Sequence, residues 1–333
     1  MKRIVALLFV SALTTIGSAQ TTLNGAGATF PYPIYSKWFS EYHASHPDIE
    51  INYQSIGSGG GIRQVTSGTV DFGASDGPMS DEQLASSKVK IVHIPTVMGS
   101  VVPAYNVPGV TQELKFTPEA LAGIYLGKIT SWNDNAIQSA NKDVKLPNTP
   151  IIVVHRSDGS GTSYVFTDYL SKVSPEWKSA VGKGTSVHWP VGLGAKGNEG
   201  VAGEIRQMEG SIGYVELIYA LQNKISYGTM KNAAGNFVKA SLESTTEAAK
   251  GVKIPADYRV SITNASGKNA YPIATFTWLL IPQKAADPKK GKILVDFLNW
   301  MLVDGQKEAS SLSYAPLPQE LVTKVKSTVQ QLH

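Results

Sequence analysis

The stretch HRSDGSGTS, residues 155–163, places an arginine and an aspartate beside hydroxyl side chains that glycines separate. The run IIVV at residues 151–154 precedes it and predicts a buried strand, and apolar residues at helical spacing follow it. A strand-to-helix junction of this composition offers unpaired backbone N–H groups and small hydroxyls to an anion. The stretch therefore indicates a small-anion site.

Three further glycine-rich loops stand before predicted helices: GAGATFP at residues 25–31, GSGGG at 57–61 and GASDGP at 73–78. One such loop is weak evidence, because glycine marks turns everywhere. In open α/β sheets, however, the carboxyl ends of the strands share one edge. We therefore expect the four loops to converge on a single crevice.

The sequence departs from the known nucleotide and hydrolase motifs. Ile62 stands where the dinucleotide fingerprint needs its third glycine, and Gly184 stands where a P-loop needs Ser or Thr. No nucleophile elbow surrounds Ser160. These departures disfavour a nucleotide site and a serine hydrolase, and a small anion remains the favoured ligand.

Composition and charge exclude several classes. The 333 residues suit a soluble α/β protein of roughly two domains. The formal net charge of +4, which becomes +2 without Lys2 and Arg3, gives no argument for a nucleic-acid partner. The absence of cysteine excludes disulfides, cysteine-based metal sites and a lipid on an N-terminal cysteine.

The first nineteen residues have the pattern of a secretory signal. Lys2 and Arg3 precede an apolar run at residues 4–13, and small residues at 17–19 follow it. We expect cleavage after Ala19 and export to a bacterial periplasm, without a lipid anchor.

Periodicity and capping patterns predict alternating helices and strands. The predicted helices cover residues 34–42, the segment that GSGGG opens and Gly68 ends, a segment that begins at Ser174 and Pro175, and residues 293–302. The predicted strands begin at Ile49 and cover TFTWLLIP. Ser80 and Gln83 fit a capping box at the start of another helix.

Long segments of the chain resemble one family. GAGATFPYPIYSKW, INYQSIGSGGGIRQVTSGTVDFGASDGPMSDEQL, VVHRSDGSGTSYVFTDYLSKVSPEW and HWPVGLGAKGNEGVAGEIRQMEGSIGYVE are similar to the periplasmic phosphate-binding proteins of ABC-type phosphate importers. The similarity runs from about Leu23 to about Leu317 and is weakest over residues 225–269. It implies an α/β, two-lobed periplasmic binding protein fold, each lobe a sheet flanked by helices, with a two-crossing hinge.

The resemblance also implies a phosphate site and its residues. Donors would be Thr29, Phe30, Ser58, Arg156, Ser160, Gly161 and Thr162, Asp76 would be the acidic acceptor, and Asp158 would pair with Arg156. At Gly59 some family members have a second serine, so this chain would lack one nearby hydroxyl. No cofactor and no metal is implied.

Each of these residues also has an ordinary explanation. Asp76 before Gly-Pro could be a turn residue, Arg156 a surface cation and Thr29 a helix cap. As a ligand-binding group, an ionised Asp76 could only accept hydrogen bonds, so it would favour phosphate, which carries a proton, over sulfate, which does not. Such a site rejects the analogue by ~10⁴–10⁵-fold.

We expect lobe I to comprise residues 20–96 and 273–333 and lobe II residues 97–272, with the hinge near IPTVMGS and YPIATFTW. The expected function is capture of inorganic phosphate between the lobes by a monomer, and delivery to a membrane-embedded ABC permease with its ATPase subunits. Two alternatives stay open: a secreted phosphatase that uses Ser160, and a binding protein for another oxyanion such as sulfate.

Overall fold

The computed structural model describes residues 20–333, so the expected signal segment lies outside the described part. The strands are β1 Thr21–Gly27, β2 Ile49–Ser55, β3 Phe72–Ser75, β4 Ile91–Asn106, β5 Lys115–Phe116, β6 Ile152–Arg156, β7 Leu193–Ala195, β8 Ser211–Glu216, β9 Ser226–Tyr227, β10 Thr229–Lys231, β11 Phe237–Val238 and β12 Ala274–Pro282.

The helices alternate with these strands. They are α1 Tyr32–Ser45, α2 Ser58–Ser67, α3 Asp81–Ser86, α4 Pro118–Tyr125, α5 Asn135–Gln138, α6 Gly161–Val173, α7 Pro175–Ala180, α8 Gly197–Gln207, α9 Leu217–Gln222, α10 Leu242–Ala249, α11 Pro288–Trp300, α12 Gln306–Ala309 and α13 Gln319–Val329, with a π-helical turn Met301–Gly305 and a 3₁₀ turn Ser310–Leu312. Within residues 20–333, no helix has the length and apolarity that a membrane span requires.

The main sheet has the strand order β2-β1-β3-β12-β4-β8-β6-β7. In the first half, β1 pairs in parallel with β2 and β3. In the second half, β6 pairs in parallel with β7 and β8. The two antiparallel strands β12 and β4 lie between these halves and join them. The arrangement is the expected α/β fold of two lobes.

Strand β4 belongs to both lobes. Its first part pairs with β12 as far as Ser100, and its second part pairs with β8 from Val101 onward. The Val101 N–H also donates to the Ile273 carbonyl, directly before β12, so the two predicted crossings lie side by side. The change of partner lies four residues after the predicted boundary at 96/97, and the boundaries at 96/97 and 272/273 stay a prediction.

The loops that the sequence singled out follow the carboxyl ends of strands. The first-lobe loops follow β1, β2 and β3, and the HRSDGSGTS loop follows β6. Two more junctions have the same form, since β7 leads into α8 and β8 runs directly into α9. Because β4 passes from one half of the sheet to the other, these six strand-to-helix junctions, three from each half, face each other across the space between the lobes.

Most local expectations are confirmed. Gly68 ends α2 with φ of 72°, the left-handed conformation that glycine adopts easily. Ser80 and Gln83 form the capping box, and the Ser174 side chain caps α7. The helix expected over 293–302 is longer at its start and turns π-helical after Trp300. Thr29 does not cap α1, because its hydroxyl has other partners, given below.

Aromatic side chains fill the core of lobe I. Trp38 and Tyr35 of α1 are fully buried, and Phe39 packs against Phe297 of α11 and Phe72 of β3. The apolar stripe of α1 thus joins the sheet to α11.

Candidate functional site

In the loop between β1 and α1, tyrosine hydroxyls occupy the backbone carbonyls of residues 28–30. The Tyr53 hydroxyl donates to the Ala28 carbonyl (2.8 Å), that of Tyr219 to Thr29 (2.5 Å) and that of Tyr314 to Phe30 (2.6 Å). Burial raises the pKa of all three phenols well above its usual range, so they stay protonated donors. The loop therefore offers only donors to an anion.

The Thr29 and Phe30 N–H groups are available for a ligand. Among residues 20–333 neither donates to a protein acceptor. Both residues are buried, at 2% and 0% exposure, so a group that meets these N–H bonds does so away from bulk solvent. Such donors bind an anion strongly because water does not compete.

Asp76 is a buried acceptor with hydroxyl partners. Thr277 of β12 donates to its Oδ1 (2.8 Å), and the Asp76 N–H donates to the Ser58 hydroxyl oxygen (3.2 Å). Burial raises the pKa of Asp76 to about 7, and Thr277, the Arg156 charge and Ser58 oppose this rise. Its side chain leaves the turn and enters the interior, so the turn explanation does not describe it.

Arg156 is buried and held by Asp158. Its Nε donates to Asp158 Oδ1 (2.7 Å) and one terminal nitrogen to Oδ2 (2.6 Å), while the other reaches the Thr162 hydroxyl at 3.4 Å. The guanidinium is 3% exposed, so the surface-cation explanation is wrong. Burial alone would raise the pKa of Asp158, but Arg156 and the Gly197 N–H lower it, so the pair is ionised.

The start of α6 carries the remaining donors. Ser160 caps the helix by accepting from the Ser163 N–H (3.0 Å), as its ordinary explanation requires, and its hydroxyl proton remains free to donate. Within residues 20–333 the Gly161 and Thr162 N–H groups donate to no protein acceptor. Free N–H groups at the start of a thirteen-residue helix favour an anion there.

The two sets of residues meet across the space between the lobes. A methyl group added at Gly161 would overlap both the Ser58 hydroxyl and the Asp76 carboxylate. The Gly59 N–H donates to the Gly159 carbonyl at 2.8 Å, which joins the first turn of α2 to the loop after β6. Gly59, the departure from the family pattern, thus makes a contact between the lobes through its backbone.

Asn198 is a residue that sequence reasoning missed. It lies near the start of α8, is fully buried, and donates through its side-chain amide to Thr29 (2.8 Å) and Thr162 (3.0 Å). Its neighbour Gly197 donates to Asp158 at 3.1 Å. The signal was present in the sequence, because GAKGNEG is another glycine-rich strand-to-helix junction.

The chain matches known proteins over almost its whole length. The family model described as PBP superfamily domain matches residues 14–304. A relative in Xylella fastidiosa, "Phosphate-binding protein PstS", is 48% identical over 321 residues, 94% of this chain and 87% of the relative. The chain belongs to the PstS family. A second relative with the same description, in Haemophilus influenzae, is 46% identical over 96% of both chains.

Solved structures show the same fold at lower identity. A high-affinity periplasmic phosphate-binding protein bound with phosphate matches with a TM-score of 0.76 at 22% identity, over 92% of this chain and 93% of that one. A phosphate-binding protein from Stenotrophomonas maltophilia matches with a TM-score of 0.70 at 20% identity, with the same coverage. At these identities the likeness bears on the fold alone.

Proposed function

We propose that this protein is the phosphate-binding component of an ABC-type phosphate importer, and that it holds one inorganic phosphate between its lobes. Thr29, Phe30 and Ser58 donate from lobe I, and Arg156, Ser160, Gly161 and Thr162 donate from lobe II. Asp76 accepts the proton of the anion. Membership of the PstS family supports the ligand class.

The meeting of donors from two lobes around one carboxylate is the observation that carries this assignment. Gly161 of lobe II lies against Ser58 and Asp76 of lobe I, and all three are buried. An anion without a proton would put its lone pairs against those of Asp76, whereas phosphate donates to it. The same contact argues against sulfate as the ligand.

We extend the proposal to location and delivery. The expected signal segment and the family favour a periplasmic protein that acts as a monomer without a lipid anchor. The membrane-embedded permease, with its ATPase subunits, would recognise the closed form, in which the two lobes touch. Closure by an anion that contacts both lobes is the general mechanism of two-lobed binding proteins.

The family is one of binding proteins and not of enzymes. The geometry at Ser160 agrees, because among residues 20–333 its hydroxyl bonds only the Ser163 N–H, with no histidine or carboxylate in hydrogen-bond contact. A phosphatase nucleophile needs such a base. Measurable hydrolysis of p-nitrophenyl phosphate that disappears in Ser160→Ala would overturn the binding role.

Isothermal titration tests the proposal. Protein freed of bound anion by partial unfolding and refolding should bind one phosphate per chain, and sulfate should not compete at equal concentration. Arg156→Ala should lose most of the affinity, because it removes a donor and leaves the half-buried Asp158 without its partner.

Arg206→Ala is the matched control, since it removes an exposed arginine of α8. It should bind as the parent does. A parent that binds sulfate as well as phosphate, or Arg156→Ala and Arg206→Ala with equal affinity, would contradict the proposed site.

A further inference from the structure

The Asn198 side chain joins the two lobes through two threonine hydroxyls. Thr29 Oγ1 receives the Asn198 backbone N–H (3.2 Å) and the side-chain amide (2.8 Å). Thr162 Oγ1 receives the same amide (3.0 Å) and the Arg156 guanidinium (3.4 Å). Each hydroxyl oxygen therefore has two donors pointed at it.

A hydroxyl has two lone pairs and one proton. When protein donors occupy both lone pairs, the group can interact further only by donating its proton. Thr29 and Thr162 are in this state, and both are buried, at 2% and 0% exposure. Water therefore offers them no alternative acceptor.

The orientation of the Asn198 amide is fixed from its other side. Its Oδ1 accepts the Glu216 N–H at 2.9 Å, so its NH₂ group must face the two threonines. One oxygen of the Glu216 carboxyl, Oε2, accepts the Ile218 N–H (2.8 Å) at the start of α9. The junction of β8 and α9 thus determines which way the amide points.

We propose that Asn198 is a positioning residue that forces the Thr29 and Thr162 hydroxyls, one from each lobe, to act as donors to the bound anion. The inference rests on the proposed phosphate site and deepens it. With both threonines committed as donors, a P–OH group cannot donate its proton to either of them. The proton of the anion is directed to Asp76, and Asn198 thereby sets the orientation of the ligand.

Replacement of the Asn198 amide by a carboxylate reverses the direction of its hydrogen bonds to the two threonine hydroxyls. In Asn198→Asp an acceptor stands where the NH₂ group was, so both threonine hydroxyls can turn toward it and away from the ligand. Two charge-assisted hydrogen bonds are then lost, and we expect phosphate affinity to fall at least 100-fold. Asn198→Ala removes the donors but adds no acceptor, and should lose about tenfold.

A double-mutant cycle separates positioning from a general structural effect. In a Thr29→Val, Thr162→Val background the hydroxyls are gone, so Asn198→Ala should change phosphate affinity less than twofold. Asn299→Asp, at an exposed amide of α11, gives the same charge change as a control and should bind as the parent does. Thermal unfolding midpoints of all variants report folding separately.

The outcomes distinguish the inference from the function on which it rests. A parent that fails to bind phosphate refutes the proposed function itself. If the parent binds phosphate and both Asn198→Asp and Asn198→Ala bind it as tightly as the parent does, only the positioning role is refuted. An effect of Asn198→Ala that is the same with and without the two threonine hydroxyls also refutes it, because Asn198 would then act through the packing of α8.

Discussion

Asp76 and Asp168 are both buried, at 1% and 2% exposure, yet their environments are opposite. Asp168 lies in α6, two turns after the donors at its start, and contacts Lys183 (2.7 Å), Lys172 (3.1 Å) and the Ser261 and Thr263 hydroxyls (both 2.6 Å). Burial would raise its pKa, but these partners lower it to about 2.

No cation of residues 20–333 forms an ion pair with Asp76, and burial raises its pKa to about 7. A carboxylate such as Asp168, whose hydrogen bonds and charge are satisfied by protein groups, stabilises the fold. A carboxylate that is buried with few partners still needs a proton donor, and a ligand can supply it. The difference teaches that burial alone does not mark a functional acid, because the partners of the carboxylate decide whether it stabilises the fold or can meet a ligand.

Asp76→Asn should produce the largest effect. Thr277 donates to Oδ1, so the amide oxygen takes that position and the NH₂ group faces the cleft. The site then consists of donors alone, and at pH 9, where the Asp76 carboxylate of the parent is ionised, the preference for phosphate over sulfate should shrink by about 100-fold. Phosphate should lose about 1–2 kcal/mol of binding free energy.

Paired titrations of phosphate and sulfate on parent and variant, at fixed pH and salt, measure this. Unchanged rejection of sulfate would mean that the arrangement of the donors, and not Asp76, selects the anion.

Asp168→Asn should affect the fold instead of the ligand. The folded-state pKa lies below the ordinary value of 3.8, so the carboxylate contributes about 2 kcal/mol of stability above pH 4, and the contribution is lost as the pH falls toward 2. Urea unfolding at pH 7 should show this loss, with phosphate affinity within about twofold of the parent. If Asp168→Asn lost more binding free energy for phosphate than free energy of unfolding, the contrast between the two aspartates would be wrong.

The pH dependence of sulfate binding should show the smallest effect. A protonated Asp76 can donate to sulfate, so the sulfate affinity of the parent should be nearly level below pH 6. Above the pKa of about 7 it should fall by up to tenfold per pH unit. In Asp76→Asn the sulfate affinity should not change with pH over the same range. If the sulfate affinity of the parent were equally independent of pH, Asp76 would not titrate in that range.

The sequence was sufficient for the four loops because their chemistry is local. Strand, glycine, hydroxyl and helix follow one another within ten residues in HRSDGSGTS, and within lobe I the carboxyl ends of the parallel strands β1, β2 and β3 bring three such loops together. The strand β6 runs opposite to β1, so its loop meets the other three only because β4 passes from one lobe to the other. The resemblance supplied the role of each residue, which the pattern alone left open between capping and binding. Ser160 shows why the pattern could not decide between capping and binding, because its side chain caps α6 and still has a proton to donate to a ligand.

Long-range partners could not be predicted in this way. Thr277 reaches Asp76 across 201 positions of the chain, and Tyr314 reaches the Phe30 carbonyl across 284. No local pattern marks a tyrosine as the group that hides a distant carbonyl, since a buried aromatic side chain is usually explained by packing. Asn198 was missed for the same reason, as its partners come from three other loops.

The direct backbone contact between Gly59 and Gly159 has a kinetic consequence. The polar side chains of the proposed site are at most 3% exposed, so an anion enclosed there has no path to solvent while this contact holds. The residence time of the anion then equals the waiting time for the lobes to separate. Substitutions that weaken lobe contact should shorten that time and leave the association rate constant almost unchanged.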